Sequence, residues 1–179
     1  KYTDLRPLAD SVFEYGAVGS VALDVIKANA PWDDAWDTVV IIDGKFSADL
    51  SNLHGTFGLT AGSLGEATYS SVGDIEKQLT SLAGRERYAF TALNTAFVRD
   101  GAFVNVPQNV ALEMPLHVIY LSTSVGTGTA GTQSASFPRT LVVVEEGARA
   151  CVAETFVGLA PDDHYLTDAV TEIVFGEKA

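Results

Sequence analysis

The amino-acid sequence predicts a mainly β fold, in which an α+β segment over residues 1–100 precedes a β-solenoid over residues 101–179. Two observations support this prediction: short apolar runs recur from Phe103 onward, and the turn-forming segments between them are short. Strands joined by short corners in blocks of roughly 20 residues are typical of solenoid coils. The pattern favours a solenoid over a β-sandwich, which stays open as the alternative on pattern alone.

The first 31 residues have an irregular pattern with two short helices, predicted over residues 8–15 and 20–28. Gly16 and Gly19 lie between them and disfavour one continuous helix, and Pro31 ends the second. A β-hairpin is predicted next. Two strands, residues 38–42 and 45–47, flank Asp43 and Gly44, a pair that tolerates the positive φ angles of a tight hairpin turn.

Residues 54–71 are rich in Gly, Ser and Thr and predict a loop with a short extended piece. Apolar residues at helical spacing predict two helices after it, over residues 73–83 and 87–99. Asp100 and Gly101 are expected to end the second of these helices. The segment 1–100 is therefore predicted to contain a β-hairpin and two main helices.

Six apolar runs predict the strands of the second half: residues 103–106, 110–112, 116–121, 140–144, 148–156 and 169–175. Turn residues separate them, including Pro107 to Asn109 and Glu145 to Gly147. Residues 122–137 contain three glycines and predict a mobile loop that projects from one corner.

Composition narrows the classes of function. The chain has 179 residues, of which 47% are hydrophobic, enough for one compact domain with a buried core. Its net charge of −12 disfavours partners rich in phosphate, so neither nucleic acid nor an anionic membrane is expected. No apolar run is long enough to span a bilayer, and no leader sequence opens the chain, so we expect a soluble protein. Cys151 is the single cysteine and fits a reducing compartment.

Three segments resemble one known family. Residues 1–5, KYTDL, are similar to a motif that follows the N-terminal helical region of SufB and SufD proteins. Residues 90–101, FTALNTAFVRDG, continue to Val106-Pro107 and to Glu113 to Leu116, and this run resembles the family's entry into its β-helix. Residues 138–148, PRTLVVVEEGA, then Glu154 and residues 170–173, VTEI, are similar to the family's later coils. In this order and spacing, the three segments identify the chain as a member of the SufB/SufD family, nearer SufD.

The resemblance implies a right-handed parallel β-helix, of which residues 101–179 form the first coils. It also implies a non-catalytic scaffold subunit of the SUF iron–sulfur cluster assembly complex, which pairs with a SufB-like partner and carries a SufC-like ATPase. An iron–sulfur cluster and a flavin are implied for the full complex, whereas no cofactor is expected on this chain. The resemblance further implies that the chain is trimmed at both ends and that the protein is cytoplasmic, or stromal in a plastid.

Few residues are candidates for chemistry. Cys151 has Arg149 on the same side of an extended run, which favours a thiolate, although a free cysteine of this kind is usually buried packing. His54, His117 and His164 lie far apart, without the spacing of metal ligands, and are interpreted as ordinary surface or packing residues. Residues 126–131 lack the Lys-Ser/Thr that completes a P-loop, so they are interpreted as a flexible insert.

Acidic and aromatic residues offer one alternative function. Carboxylates on one face of a β-helix would suit a carbohydrate-active enzyme with a carboxylate pair, but acids at corners usually serve solvation. The acids concerned are Glu145, Glu146, Glu154 and Glu172.

Trp32 and Trp36 are predicted to anchor the N-terminal segment on the core. We expect no catalytic and no metal-binding residue, an unidentified cofactor contact at most, and self-association through open strand edges.

Overall fold

A computed structural model describes residues 4–15, 18–55, 58–69, 75, 79, 88–123, 132–159 and 164–179. Within these residues the chain forms eleven strands and four helices. In chain order they are α1 Arg6–Ala9, β1 Val12–Tyr15, α2 Leu23–Asn29, β2 Asp37–Ile42, β3 Lys45–Phe46, β4 Thr60–Ser63, α3 Leu64–Tyr69, α4 Ala89–Phe97, β5 Gly101–Val106, β6 Leu116–Ser122, β7 Thr132–Ser136, β8 Arg139–Val144, β9 Val152–Gly158, β10 Tyr165–Thr167 and β11 Val170–Phe175.

The strands form three sheets. Sheet A has the order β1-β7-β10 and is parallel throughout. Sheet B has the order β3-β2-β6-β9, and sheet C has the order β11-β8-β5-β4. Both are mixed, since β3 runs antiparallel to β2 and β4 runs antiparallel to β5. From β5 to β11, successive strands enter different sheets, so parallel neighbours are joined by long crossovers.

The predicted fold class, a right-handed parallel β-helix, is wrong. Two of the three sheets contain antiparallel strands, helices accompany the sheets, and the described strands show no solenoid closure. The predicted block length is also wrong: the parallel partners Gly101, Arg139 and Val170 lie 38 and 31 residues apart, well above roughly 20. The pattern was misread because strand runs and corners show how often the chain turns, and they leave open which strands pair. The division at residue 100 stays a prediction, although strands from both sides of it pair in the same sheets.

The predicted hairpin is confirmed. β2 and β3 pair antiparallel, with Ile41 opposite Phe46 and Ile42 opposite Lys45. Asp43 and Gly44 between them have φ angles of 48° and 84°. Two consecutive positive φ values characterise the hairpin turn whose twist matches that of the flanking strands, which is why Asp-Gly predicts it.

The helix predictions have mixed outcomes. α2 and α4 confirm the helices expected over residues 20–28 and 87–99, whereas the helix over residues 8–15 is wrong beyond Ala9 because Val12–Tyr15 pairs with β7. The helix over residues 73–83 lies almost wholly outside the described residues. The residues of α3 were predicted as loop, and this prediction is wrong. The helix begins where the Ser63 hydroxyl accepts the Glu66 N–H at 3.0 Å, a contact typical of helix starts. None of the described helices is long and apolar enough to cross a membrane.

Most predicted strands of the second half are confirmed, as β5, β6, β8, β9 and β11. Residues 110–112 form no strand, and only an isolated bridge joins Ala111 to Arg149. The loop predicted over residues 122–137 is wrong at its end, where Thr132–Ser136 forms the central strand of sheet A. The glycines of that segment lie outside the described residues.

The main core lies between sheets B and C. Strands β2, β5, β6 and β8 have almost every residue buried, as expected of strands covered on both faces. The largest cluster consists of Val39, Ile41, Ala102, Val104, Val106, Leu116, Val118, Tyr120, Val142, Val144 and Ala148. A second cluster joins α2 to the outer face of sheet B, and a third joins α3 to sheet C.

Candidate functional site

A buried polar cluster holds helix α4 against sheets A and C. We call it the helix clamp and define it as Asn94, Arg139, Asp168 and Glu172. Asn94 is fully buried, and its Nδ2 donates to the carbonyl oxygens of Pro138 at 3.0 Å and Asp168 at 2.7 Å. Both carbonyls belong to segments that lead into strands of sheet C. One side chain therefore fixes the middle of α4 to two chain segments at once.

An ion pair completes the helix clamp. Arg139 on β8 and Glu172 on β11 are 4% and 5% exposed, and the distance from Arg139 Nη2 to Glu172 Oε2 is 2.7 Å. Arg139 Nε also donates to Glu172 Oε2 at 2.8 Å, and Nη1 donates to Thr95 Oγ1 at 3.0 Å. A buried charge is tolerated only when its partner and hydrogen bonds are in place. The pair therefore fixes the position of α4 and the edge strand β11 relative to β8.

Asp168 is the titratable group of the helix clamp with the clearest shift. It is 8% exposed, and burial raises the pKa of its carboxyl to about 6. A backbone hydrogen bond from Asn94 partly opposes that rise by stabilising the charged form. The carboxyl therefore changes charge near neutral pH inside a packed contact between α4 and the segment joining β10 to β11.

Asp100 fixes a second junction. Its Oδ1 accepts the Ser63 hydroxyl at 2.8 Å and the Gly65 N–H at 3.1 Å, while Oδ2 accepts the Phe46 N–H at 3.1 Å. One carboxylate thus joins the hairpin, the start of α3 and the start of β5. Gly101 follows it, and a Cβ there would lie 1.8 Å from the Arg139 carbonyl oxygen. Only glycine fits at this close approach of the paired strands β5 and β8.

A polar network joins sheets B and C at the rim of the main core, where Tyr120 and Thr140 are buried and Glu154 is exposed. The Tyr120 hydroxyl lies 2.6 Å from Thr140 Oγ1 and donates to Glu154 Oε1 at 2.7 Å. Thr171 Oγ1 donates to the same carboxylate oxygen at 2.5 Å. Burial raises the pKa of the Tyr120 phenol, so it stays protonated as the donor. Glu154 therefore holds strands β6 and β11 together through hydroxyl groups.

The outer strands of the three sheets expose apolar side chains. Strand β9 is the edge of sheet B, β10 of sheet A and β11 of sheet C. We call β9 and β11 together the strand-edge surface. Phe156, Ile173 and Phe175 on it are 57%, 40% and 66% exposed. Edge strands with exposed apolar side chains favour contact with another polypeptide.

Comparison with known proteins assigns the family. Residues 34–118 match the model of the SufBD protein N-terminal region. An iron–sulfur cluster assembly SufBD family protein of Synechocystis is 30% identical over 191 residues, covering 100% of this chain and 40% of the relative. The chain belongs to the SufB/SufD family.

Other relatives agree with this assignment. The iron–sulfur cluster assembly protein SufD of Bacillus subtilis is 28% identical over 94 residues, covering 52% of this chain and 20% of the relative. A chloroplastic SufBD family protein of Arabidopsis thaliana is 30% identical over 105 residues, covering 59% of this chain and 18% of the relative. The chain therefore spans less than half the length of these SufB/SufD family relatives.

The structure places the motif residues of the SufB/SufD resemblance at its junctions. Asn94 comes from the second motif, whereas Arg139 and Glu172 come from the third, and all three meet in the helix clamp. Asp100 and Gly101, also from the second motif, lie at the start of β5, where Asp100 binds Ser63 and Gly101 permits the close approach of β8. The motifs thus specify contacts between strands and helices. Asp168 was missed by sequence reasoning, which had no signal that this acid would be buried.

The three histidines occupy different environments. His117 on β6 is 1% exposed, its Nε2 lies 2.8 Å from Thr155 Oγ1, and burial lowers its pKa. His54 lies in a loop, with Nδ1 3.6 Å from the buried Asp37 carboxylate, and His164 directly precedes β10. Across the described ranges, no group of three or more His, Cys, Asp or Glu is arranged to hold a metal ion.

Cys151 is exposed, so its interpretation as buried packing is wrong. Its carbonyl accepts the Leu116 N–H at 2.9 Å, which keeps the backbone beside sheet B. Arg149, its predicted cationic neighbour, is also exposed. The predicted P-loop-like residues 126–131 lie outside the described part of the chain.

The candidate acids of the carbohydrate-active alternative are held in separate contacts. Glu145 accepts the Asn105 amide at 2.9 Å and the Gln108 N–H at 3.0 Å, and Glu146 accepts the Gln108 amide at 3.2 Å. Glu154 belongs to the network at Tyr120, and Glu172 pairs with Arg139. All four carboxylates therefore have a structural contact.

The tryptophans are placed as predicted. Trp32 packs on the cluster beneath α2, and its Nε1 donates to Asp34 Oδ1 at 2.8 Å. Lys27 Nζ lies 5.1 Å from the centre of the same ring. Trp36 lies edge-on to the His117 ring, with centroids 5.7 Å apart. Both rings therefore attach the N-terminal segment to sheet B.

Proposed function

We propose that this chain is part of a SufD-type, non-catalytic scaffold subunit that pairs with a SufB-like partner and carries a SufC-like ATPase. One observation supports it above the others: the family's motif residues Asn94, Arg139 and Glu172 make buried contacts between structural elements. Residues used in this way fix strands and helices relative to one another, as a subunit that presents surfaces to partners requires. The Bacillus subtilis relative named SufD, which matches half of this chain, also supports the proposal.

The proposed role assigns the chemistry to the assembled complex. The iron–sulfur cluster is the cargo of that complex, and a flavin is assigned to the assembly rather than to a side chain described above. The protein works in the cytoplasm, or in the plastid stroma of a eukaryote. The chloroplastic Arabidopsis relative supports the second location for a plant protein. Fractionation of source cells, followed by immunoblotting, tests this location.

Co-purification tests the scaffold role. The full-length protein with an affinity tag is expressed together with SufB-like and SufC-like proteins from the same organism. We expect all three to elute at a fixed ratio, with ATPase activity that depends on the SufC-like protein alone. Elution of the tagged protein without either partner would contradict the proposal. Turnover of polysaccharides by the tagged protein itself would instead favour the carbohydrate-active alternative.

We also propose that the 179-residue chain self-associates through the strand-edge surface. Each of β9 and β11 pairs on one side only among the described strands, and exposed Phe156 and Phe175 lie on them. A second copy would satisfy backbone groups and bury apolar area together. Light scattering at tens of micromolar is expected to show dimers or larger species. A strictly monomeric chain would contradict this proposal and leave the scaffold role standing.

A further inference from the structure

A cavity lies between the outer face of sheet A and helices α1 and α4. Its inner part has a volume of about 270 Å³, and a wider outer part of about 740 Å³ adjoins it. Leu8 of α1, Phe13 of β1 and Leu166 of β10 line both parts. The two parts are thus neighbours that share these residues, and we call them together the aromatic groove.

The inner part is open because the residue at the centre of the sheet A face that lines it has a small side chain. Ala135 lies on β7, the middle strand of sheet A, with Tyr15 and Leu166 in register on either side. Ala135 is 5% exposed, so the surrounding larger residues cover the space without filling it. A larger side chain at this position would occupy the volume that is now open.

Aromatic contacts fix the wall of the inner part. Phe97 of α4 stacks on Phe137, with centroids 5.3 Å apart and planes at 30°. Tyr15 meets Phe137 edge-on at 5.7 Å, and its hydroxyl donates to the Phe97 carbonyl. The Arg99 guanidinium lies 3.4 Å from the centre of the Tyr15 ring. These contacts orient flat apolar surfaces around the space and favour a flat ligand.

The residues that line the outer part of the groove include more polar side chains than those that line the inner part. Gln133 lies in register with Phe13, one row from Ala135 along the same face, and His164 and Ser11 also line this part. Asp4 is the acidic residue there, and Arg6 binds its carboxylate at 2.7 Å. Hydrogen-bonding groups are thus added to the apolar lining, and the Asp4 carboxylate is already paired, which fits an uncharged head group in the outer part. The Glu14 carboxylate belongs to the lining of the inner part.

The volume limits the size of the ligand. A dry cavity of about 150 Å³ holds benzene, so the inner part has room for a fused two-ring system. Ligand pockets in proteins are mostly apolar, with a few polar groups that fix orientation, and the aromatic groove has this arrangement.

We propose that the aromatic groove binds a planar aromatic molecule with an uncharged hydrogen-bonding head. The rings lie over Ala135, between Tyr15 and Leu166, and the head points toward Gln133 and His164. The helix clamp and the strand-edge surface take no part in this binding. The inference is independent of the scaffold role.

Fluorescence titration with N-phenyl-1-naphthylamine tests the site. We expect saturable binding to the wild-type chain, and a loss of affinity of about tenfold or more in Ala135→Leu, since the added side chain fills the inner part. Ala92→Leu on the exposed face of α4 is the matched control and should bind as the wild type does. Unchanged binding by Ala135→Leu would overturn the proposal. So would a signal that disappears in Phe156→Ser or Phe175→Ser, because the dye would then bind the strand-edge surface.

The head group is tested by competition. Naphthalene acetamide, naphthalene acetate and naphthylethylammonium share the ring and differ in charge. We expect the amide to displace the dye at the lowest concentration, and Gln133→Leu to remove most of this preference. Tighter binding of either charged compound would contradict the assignment of an uncharged head.

A measurement on the wild-type chain keeps the test valid if Ala135→Leu fails to fold. Nuclear Overhauser effects between the naphthalene protons and the methyl groups of Ala135 and Leu166 are expected. Effects confined to Ile173 and other residues of the strand-edge surface would overturn the proposal.

Discussion

The inner and outer strands of sheets B and C have similar apolar sequences and opposite exposures. Every residue of β2 and β6 is buried, and so are five of the six residues of β8. On β9 no residue is buried, and on β11 the one buried residue is Glu172. In the outer strand, therefore, a charged side chain is covered while Ile173 and Phe175 are exposed to solvent.

This difference shows that the burial of a side chain here depends more on its neighbouring strands and bound groups than on its hydropathy. Glu172 is buried because Arg139 on the neighbouring inner strand binds its carboxylate. Phe175 is exposed because no described strand lies beyond β11 in sheet C. Apolar residues on inner strands should thus contribute strongly to the free energy of unfolding, and those on outer strands should contribute mainly to association.

The largest expected effect is the loss of the ion pair between the two kinds of strand. Arg139→Met leaves the buried Glu172 carboxylate without its cation, and removal of one partner of a buried pair costs about 3–5 kcal/mol. Chemical denaturation measures this change in the free energy of unfolding. Arg149→Met is the matched control, because Arg149 is exposed, and it should change stability by about 0.5 kcal/mol or less.

A double substitution sharpens the test. Arg139→Met with Glu172→Leu removes both charges and should recover much of the lost stability, since an apolar pair can replace a buried ion pair. A single Arg139→Met variant as stable as the wild type would mean that the helix clamp does not connect the inner and outer strands energetically.

The next effect compares one residue type in the two positions. Ile41 on β2 is 1% exposed, and Ile173 on β11 is 40% exposed. Ile41→Ala should cost about 2–5 kcal/mol, because it leaves a cavity in the core, whereas Ile173→Ala should cost about 1 kcal/mol. Thermal and chemical denaturation of the two variants measure the difference. Equal losses would show that the strand-edge surface is as well packed as the core.

Local signals in the sequence predicted much of the secondary structure. Asp43 and Gly44 predicted the hairpin because the positive φ angles of its turn are a property of those two residues. The helix expected over residues 8–15 failed where pairing with β7, more than 100 residues later in the chain, converts Val12–Tyr15 to a strand. Pairing of that kind leaves no local pattern, and the same reason explains the wrong fold class.

The candidate site was predicted only in part. Asn94, Arg139 and Glu172 were recognised as motif residues, but neither periodicity nor composition indicates that side chains 33 and 45 residues apart share one buried cluster. Asp168 gave no signal at all, since its burial depends on α4 lying across the segment between β10 and β11. The exposure of Cys151 could not be read from an extended run either, because the run does not show which face is covered.

A smaller effect concerns the pH dependence of the helix clamp. The pKa of Asp168 is raised by burial from 3.8 to about 6, so the folded chain binds the proton more tightly than the unfolded chain does. Asp168 therefore contributes stability below about pH 4 that is lost as pH rises to about 6, on the order of 2–3 kcal/mol. Asp168→Asn keeps an acceptor for the Asn94 N–H and should flatten this part of the profile.

Chemical denaturation between pH 4 and pH 7 measures the difference between the wild type and Asp168→Asn. His117 provides the internal reference, because burial lowers its pKa and its contribution is lost in the opposite direction, as pH falls below its ordinary value of 6.5. Parallel profiles for the wild type and Asp168→Asn would exclude Asp168 as the group that titrates in the clamp.

The smallest expected effect on stability comes from the outermost aromatic residue. Phe175 is 66% exposed, so Phe175→Ser should change the free energy of unfolding by about 0.5 kcal/mol or less when the chain is dilute. At tens of micromolar the same variant should form fewer dimers, because the lost ring no longer contributes to contact between copies. Light scattering and dilute denaturation together separate the two effects. A large loss of stability in dilute solution would place Phe175 in the folding core and remove the contrast between inner and outer strands, since that contrast requires outer apolar residues to act between molecules.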